Sequence, residues 1–451
     1  MRSTIMRLPL FTDKILLKTL GLIPMVGVLA LPGWSQHFSS VDRERAQVIL
    51  QNVASDIRKY YYDPKLHGVD WDAQVGKAKE KIAKTTSMDA AILEIAAALE
   101  ALDDSHTFFV PPHNPIPEDY GWRFQMIGAR CYVTHVRPKS DAEIKGLQPG
   151  DEVLTINGFT PTREGVNKMR YVLDLLLPQS SLRVDLRDHS GQIRRVDVMA
   201  KVRQARTITD LDDLTGRDTW GLRLEHEDQQ RLMRPQYKEL GTKLMIMKLP
   251  GFLPSDLDSQ GMIGKARKHS SLILDLRGNR GGAEPTLQDL LSSVFESDVK
   301  IADRVAREGT TAVMAKSTHH NAFTGKLIVL VDSESASAAE LFARVIQIEK
   351  RGTVLGDRTS GSVMEAKHYR HETGSNFVFI YGTSVTDADL LMADGKSLER
   401  AGVTPDEMIL PSAADLANDR DPAMARAAEM AGVTLSPVEA AKLFPYEWPK
   451  N

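Results

Sequence analysis

Cysteine is nearly absent from this chain: Cys131 is the single one in 451 residues. That excludes an internal disulfide and any multi-cysteine zinc site, while leaving the redox compartment open. An excess of charge is missing too. Against 57 Lys and Arg stand 60 Asp and Glu, a formal net charge of -3, and no basic run is interleaved with aromatics. Neither nucleic acid nor an acidic membrane meets a broad attractive field, so nucleic acid is not an expected partner. Beyond the N-terminus no apolar run is long enough to cross a bilayer, and there is no internal repeat or low-complexity tract. What is present, 42% hydrophobic and 26% charged residues, is an ordinary globular composition with room for two or three domains.

At the N-terminus Arg2, Arg7, Lys14 and Lys18 precede the apolar stretch Leu20 to Leu31, which ends at Pro32-Gly33-Trp34-Ser35. Residues 1–35 are therefore expected to be a secretory signal peptide, and the protein to be exported, periplasmic or otherwise extracytoplasmic. The apolar core is shorter than the roughly 20 residues of a membrane span, although Leu8 to Leu17 could extend it into an uncleaved anchor.

The rest of the chain divides by pattern. Residues 41–110 read as helical, with Val48, Ile49, Val53 and Ile57 on one face and an alanine-rich helix over Ala90–Leu102. That helix runs into Asp103-Asp104-Ser105-His106-Thr107-Phe108-Phe109. The prolines from Pro111 to Pro117 then mark a boundary. Residues 118–203 alternate as short strands around a helix at Gly165–Leu175. A charged, often broken connector covers 204–242. An α/β domain is expected over 243–412, with strands at Leu244–Lys248, Ser271–Leu276, Lys326–Val331 and Thr353–Leu355, a ribbon at Asn376–Tyr381 near an edge, and a peripheral helical tail over 413–451. The fold class is thus a multidomain one, α+β and α/β.

One stretch organises the α/β part. Leu327 to Val331 is an apolar run of a strand buried on both faces, Ser333 to Ser337 form a turn, and an amphipathic helix starts near Ala338. A hydroxyl at such a helix N-terminus lies beside unpaired N–H groups and the positive end of the dipole, which favour an oxyanion there. Ser337 is the candidate nucleophile. The turn Asp275-Leu-Arg-Gly-Asn-Arg-Gly-Gly282 also follows a buried strand, and its spacing is neither that of a P-loop nor that of a dinucleotide fold. The best oxyanion hole pairs the backbone N–H of Ala338 with one from Gly281 or Gly282.

Leu147-Gln-Pro-Gly-Asp-Glu-Val-Leu-Thr-Ile-Asn-Gly158 resembles a PDZ domain. The resemblance places Gly121, Trp122, Arg123 and Phe124 where such domains hold a peptide carboxylate on backbone N–H groups. Asp275 to Gly282, Val331 to Glu340, Gly356-Asp-Arg-Thr-Ser-Gly361 and Leu398 to Asp406 together resemble the core of the C-terminal processing (tail-specific) serine peptidases, over about Ala46 to Leu410. That resemblance implies peptide hydrolysis with Ser337 as nucleophile, a peptide or protein substrate taken by its C-terminal region, and no cofactor or metal. The adjacent His319-His320 lacks the spacing of a helical zinc site.

One departure separates the chain from the family's Ser/Lys branch: Ser362 stands where that branch has its lysine base, leaving Lys367 as the only displaced substitute nearby. The active site is more similar to the tricorn core protease branch, whose serine, histidine, second serine and glutamate fall on Ser337, His106, Ser105 and Glu399. The competing expectation is a non-catalytic protein binding peptides or lipophilic molecules on the same scaffold.

Overall fold

The structure, a computed structural model, describes residues 38–112, 118–202, 228, 230–253, 259–317, 321–374 and 379–450. The expected signal segment, most of the connector, most of the proline-rich boundary and His319-His320 lie outside them. Helix α1 (Ser40–Tyr60) starts where the Ser39 hydroxyl accepts the Asp42 N–H and the Asp42 carboxylate accepts the Ser39 N–H, a reciprocal cap. Together with α2 (Trp71–Ile82) and α3 (Met88–Leu99) it buries Ile49, Val53, Ile57, Ile82, Ile95 and Leu99. Val48, expected on this face, is 38% exposed. A tight turn ends at Asp103, whose left-handed backbone redirects the chain toward the short strand β1 (Phe108–Val110).

Next comes a small β-domain, closed at its base by the pairing of β2 (Glu118–Asp119) with β8 (Lys201–Val202). Its antiparallel sheet runs in the order β3 (Trp122–Ile127), β4 (Arg130–Val136), β5 (Glu152–Ile156), β6 (Ser181–Arg187), β7 (Ile193–Met199). Two helices, α4 (Asp141–Ile144) and α5 (Val166–Arg170, continued as a wider turn to Leu176), cover a core that includes Trp122, Val133, Ile156 and Val184. Strand β3 lies at the edge of this sheet.

The remaining chain builds two sheets. In the first, β10 (Leu244–Lys248), β11 (Ser271–Asp275), β14 (Lys326–Val331), β15 (Gly352–Gly356) and β18 (Glu407–Met408) are parallel, with β9 (Gln236–Leu240) antiparallel at one edge. Strands β10 and β14 occupy the residues expected for them, because each is apolar toward both faces. Met247, Leu274, Val329 and Val331 face α6 (Ser259–Ala266), α7 (Glu284–Ser292) and α8 (Ala338–Ile348). Ile246, Ile273, Ile328 and Leu330 face the other way, toward the C-terminal helices.

Of those helices, α9 (Ala413–Ala417) buries no residue, whereas α10 (Pro422–Met430) and α11 (Pro437–Ala441) join the core and are not peripheral. Ala423, Met424, Ala427 and Ala428 are buried against the sheet, and the three small alanines let α10 approach the strands closely. The tail beyond them reaches the β-domain, where Tyr446 stacks on His135 at 3.9 Å.

The second sheet was not expected. It joins β1, β12 (Val299–Ala306), β13 (Gly309–Ala315), β16 (Met364–Thr373) and β17 (Phe379–Met392). What reads as an edge ribbon at Asn376–Tyr381 belongs in its described part to β17, a 14-residue strand paired with β1, β12 and β16. Through β1 the helical region is pinned to this sheet, since Phe108 pairs with Ser384 and Phe109 with Thr383.

Candidate active site

Ser337 sits between β14 and α8 with φ 55° and ψ -120°. A non-glycine residue at positive φ costs free energy, and such strain on a strand-to-helix turn presents a side chain outward. The neighbouring serines are spent on structure: the Ser333 hydroxyl donates to the Met126 carbonyl, and that of buried Ser335 to the Leu276 carbonyl at 2.8 Å. Ser337 is half-buried, so it remains within reach of a ligand.

Two turns brace this elbow. In the first, Ala336 N–H donates to the Asn279 carbonyl and Asn279 Nδ2 to the Leu249 carbonyl, while Asn279 Oδ1 accepts the Gly281 N–H at 2.8 Å. A β-carbon on Gly281 would fall 2.6 Å from Ser337 Cβ, and its φ is 95°, so only glycine fits. Gly281→Ala is therefore expected to lower kcat/KM by roughly 100-fold and stability by about 1 to 3 kcal/mol. Wild-type kinetics for that variant would show that the turn does not shape the elbow. With the Gly281 N–H engaged by Asn279, no hydrogen bond among the described residues engages the N–H of Gly282 or that of Ala338, the latter at the first turn of α8.

The second turn is gripped by Glu340, three residues into α8 and fully buried. Its carboxylate accepts the N–H groups of Ser337, Gly361 and Ser362 and the Thr359 hydroxyl. Burial pushes this carboxyl up to about 7, against the four donors that hold it down. Glu340 is absent from the expected site, although Ser337-x-x-Glu340 is a capping-box spacing that could have revealed it.

The loop that Glu340 holds leads to the histidine. The Ser362 carbonyl accepts the Ser337 N–H at 2.9 Å, and the next residue, Val363, donates its N–H to Glu399 Oε2 at 2.9 Å. Glu399 Oε1 accepts the Ser105 N–H and Oε2 the Ser105 hydroxyl, both at 2.8 Å, and Ser105 Oγ lies 2.8 Å from His106 Nδ1. A serine hydroxyl has one proton, and here it goes to a carboxylate, so Nδ1 must be the donor in its own bond to Oγ. The imidazole is thereby held with its lone pair on Nε2. Burial holds the His106 pKa below the ordinary imidazole range, with Asp104 opposing and His368 reinforcing the shift. Burial likewise raises the Glu399 carboxyl above its usual range, against its N–H and O–H donors.

Among the described residues no hydrogen bond joins Ser337 Oγ to His106; the 362–363 peptide links the two halves. Lys367 makes no hydrogen bond or ion pair with this cluster among the described residues. Its ammonium pairs with Asp387 at 2.6 Å and its side chain is 62% exposed.

The expected carboxylate-binding residues lie elsewhere. Gly121 donates its N–H to Asp119 Oδ1, and Trp122, Arg123 and Phe124 begin strand β3 instead of forming an open loop. Strand β3 is bonded to the 332–337 turn, where Gln125 Nε2 donates to Asp332 and Arg170 of α5 pairs with Glu334. A cavity of about 670 Å³ opens nearby between the β-domain, the strand ends at Lys248 and Val331, and Tyr446, but neither Ser337 nor His106 lines it. No cluster among the described residues could hold a metal ion, and no described helix is long and apolar enough to cross a membrane.

Several known proteins are similar to this chain. The chain is 24% identical over 399 residues to tricorn protease homolog 2 of Streptomyces coelicolor, covering 83% of this chain and 31% of that one. It is 23% identical over 369 residues to carboxyl-terminal-processing peptidase 3 of Arabidopsis thaliana, covering 78% of this chain and 66% of the relative. To the tail-specific protease of Haemophilus influenzae it is 27% identical over 275 residues, 57% of this chain and 36% of that one. The chain thus spans about a third of the tricorn homolog and just under two thirds of the Arabidopsis peptidase. In structure it is similar to mature CPAF complexed with lactacystin, with a TM-score of 0.62 at 14% identity over 84% of this chain and 96% of that one, a likeness of fold. Over residues 243–409, the stretch that carries Ser337 and Glu399, the chain matches the model of peptidase family S41, and it is similar in sequence to the C-terminal-processing and tail-specific proteases.

Proposed function

We propose that the protein is an exported serine peptidase of the C-terminal-processing type, with Ser337 as nucleophile and His106 as general base. The observation that carries this reading is the continuous path from the strained Ser337 through the 362–363 peptide to Glu399, Ser105 and His106. His106 Nε2 meets Ser337 Oγ when substrate closes the site, since catalytic hydrogen bonds are often long before the Michaelis complex forms.

In the forward reaction Ser337 Oγ bonds to the scissile carbonyl carbon and its proton passes to His106 Nε2. The oxyanion takes the N–H groups of Ala338 and Gly282. The C–N bond then breaks as His106 returns the proton to the leaving amine, and water releases the acyl group by the same sequence. Ser105 transmits the charge of Glu399 to the imidazolium. A fluorophosphonate probe should label Ser337 in the wild type; an unlabelled, folded protein would favour the non-catalytic binding alternative.

The β-domain, PDZ-like in sequence, serves in this reading to hold the substrate's C-terminus. Support comes from β3, an edge strand to which a peptide can add as a further strand, lying bonded to the nucleophile turn. Peptides with a free C-terminal carboxylate are expected to bind more tightly than their amides in a titration calorimeter, and equal affinities would reduce the domain to a scaffold.

A further inference from the structure

We infer that Asp104 is a positioning residue for His106, acting on the loop backbone and through its charge, a role that rests on the proposed base. Asp104 Oδ1 accepts the His106 N–H at 3.0 Å and the Thr107 N–H at 2.6 Å, so one oxygen sets the backbone on both sides of the imidazole's attachment. The same oxygen accepts the Thr386 hydroxyl at 2.7 Å, and Thr386 N–H donates to Thr107 Oγ1 at 3.1 Å. Oδ2 accepts the hydroxyl of Tyr61 at 2.8 Å. Tyr61 and Thr386 are both fully buried. The carboxylate thus nails the 104–107 loop to the end of α1 on one side and to the middle of β17 on the other.

Its charge acts as well. The titratable groups that bear on His106 come from three elements besides its own loop. These are Glu399 from the 397–401 turn through Ser105, His368 from β16, and Tyr61 from the end of α1 through Asp104 itself. With Asp104 on the loop itself, Glu399 is the other carboxylate in this set. Asp104 makes no bond to the ring, so its charge reaches the imidazolium through space and opposes the cost of burying it. Imidazolium is the state His106 enters as Ser337 attacks, so the carboxylate favours the transition state over the resting one.

The test separates this from a merely structural turn. Asp104→Asn keeps an acceptor at Oδ1 for the loop donors and removes the charge. The expected result is a kcat lower by roughly tenfold with KM nearly unchanged, and an acid limb of kcat/KM displaced to lower pH, because the nearby charge that favoured the imidazolium is gone. Tyr61→Phe removes a donor from the same carboxylate, leaves its charge less offset, and should move the acid limb the opposite way. Should Asp104→Asn not fold, that second displacement still decides the matter. Unmoved acid limbs in the folded variants would overturn the inference, even with a lower kcat, and leave Asp104 a brace. His106→Gln in the same assay isolates the underlying reading. If it stays active, the base assignment fails; if it is inactive while Asp104→Asn matches wild type, only the role of Asp104 falls.

Discussion

Ser337→Ala is expected to abolish peptide hydrolysis and to unfold at nearly the wild-type temperature. The substitution keeps the β-carbon, so the strained backbone at φ 55° is neither relieved nor worsened. The elbow is held by the Ser337 N–H on Ser362 and Glu340, and by Ala336 on Asn279, all backbone donors that alanine retains. Loss of a helix-terminal hydroxyl costs about 1 kcal/mol. On activity, removing the nucleophile from a preorganised site forfeits covalent catalysis, a loss on the order of 10⁵ to 10⁶ in kcat. Single-turnover assays beside a thermal melt check both halves, and measurable acyl-enzyme turnover in the alanine variant would remove Ser337 from the mechanism.

His106→Ala is expected to lower kcat/KM by about 10² to 10⁴, as loss of a general base does, whereas Lys367→Ala should leave it nearly unchanged. The contrast follows from placement: His106 is held by Ser105 and Glu399, and Lys367 points into solvent on Asp387. Glu399→Gln should fall between, since the amide loses the charge and turns one of its two acceptor positions into a donor facing Ser105 or Val363. The pH profile carries the same signature. A base must be neutral to act, and burial holds the His106 pKa below the ordinary value of about 6.5. The acid limb of kcat/KM should therefore lie below pH 6.5, falling as pH drops through the folded pKa, lower than an unperturbed imidazole predicts. A limb above that value, or an inactive Lys367→Ala beside an active His106→Ala, would return the base to a lysine.

What the sequence shows and hides follows from burial. Strands β10, β11 and β14 are legible because both of their faces are dry, which writes them as unbroken apolar runs. Strand β17 is equally buried and illegible, because Thr383, Ser384, Thr386 and Asp387 are polar yet nearly inaccessible. Thr386 is polar for a reason that only the fold displays: its hydroxyl donates to Asp104, 282 positions earlier. Glu399 aligns with a family pattern and is legible from it. Asp104 is passed over beside Asp103, since nothing local distinguishes a carboxylate that ties a loop from one that meets solvent. Which glycine of the 275–282 turn keeps its N–H open is likewise invisible until Asn279 is seen to take that of Gly281.

The bond between Ser105 and Glu399 spans 294 positions. Strand β1, which carries the His106 loop, waits for β17 to be made before it can pair. A nascent chain emerging in order therefore has the His106 imidazole long before it has the Glu399 carboxylate, and Ser337, the proposed nucleophile, between the two. Such long-range closure is slow to form and is among the last steps of folding. In the proposed reading the chain therefore lacks an oriented base throughout synthesis, and its site is complete only once the 104–107 loop and the 397–401 turn have met.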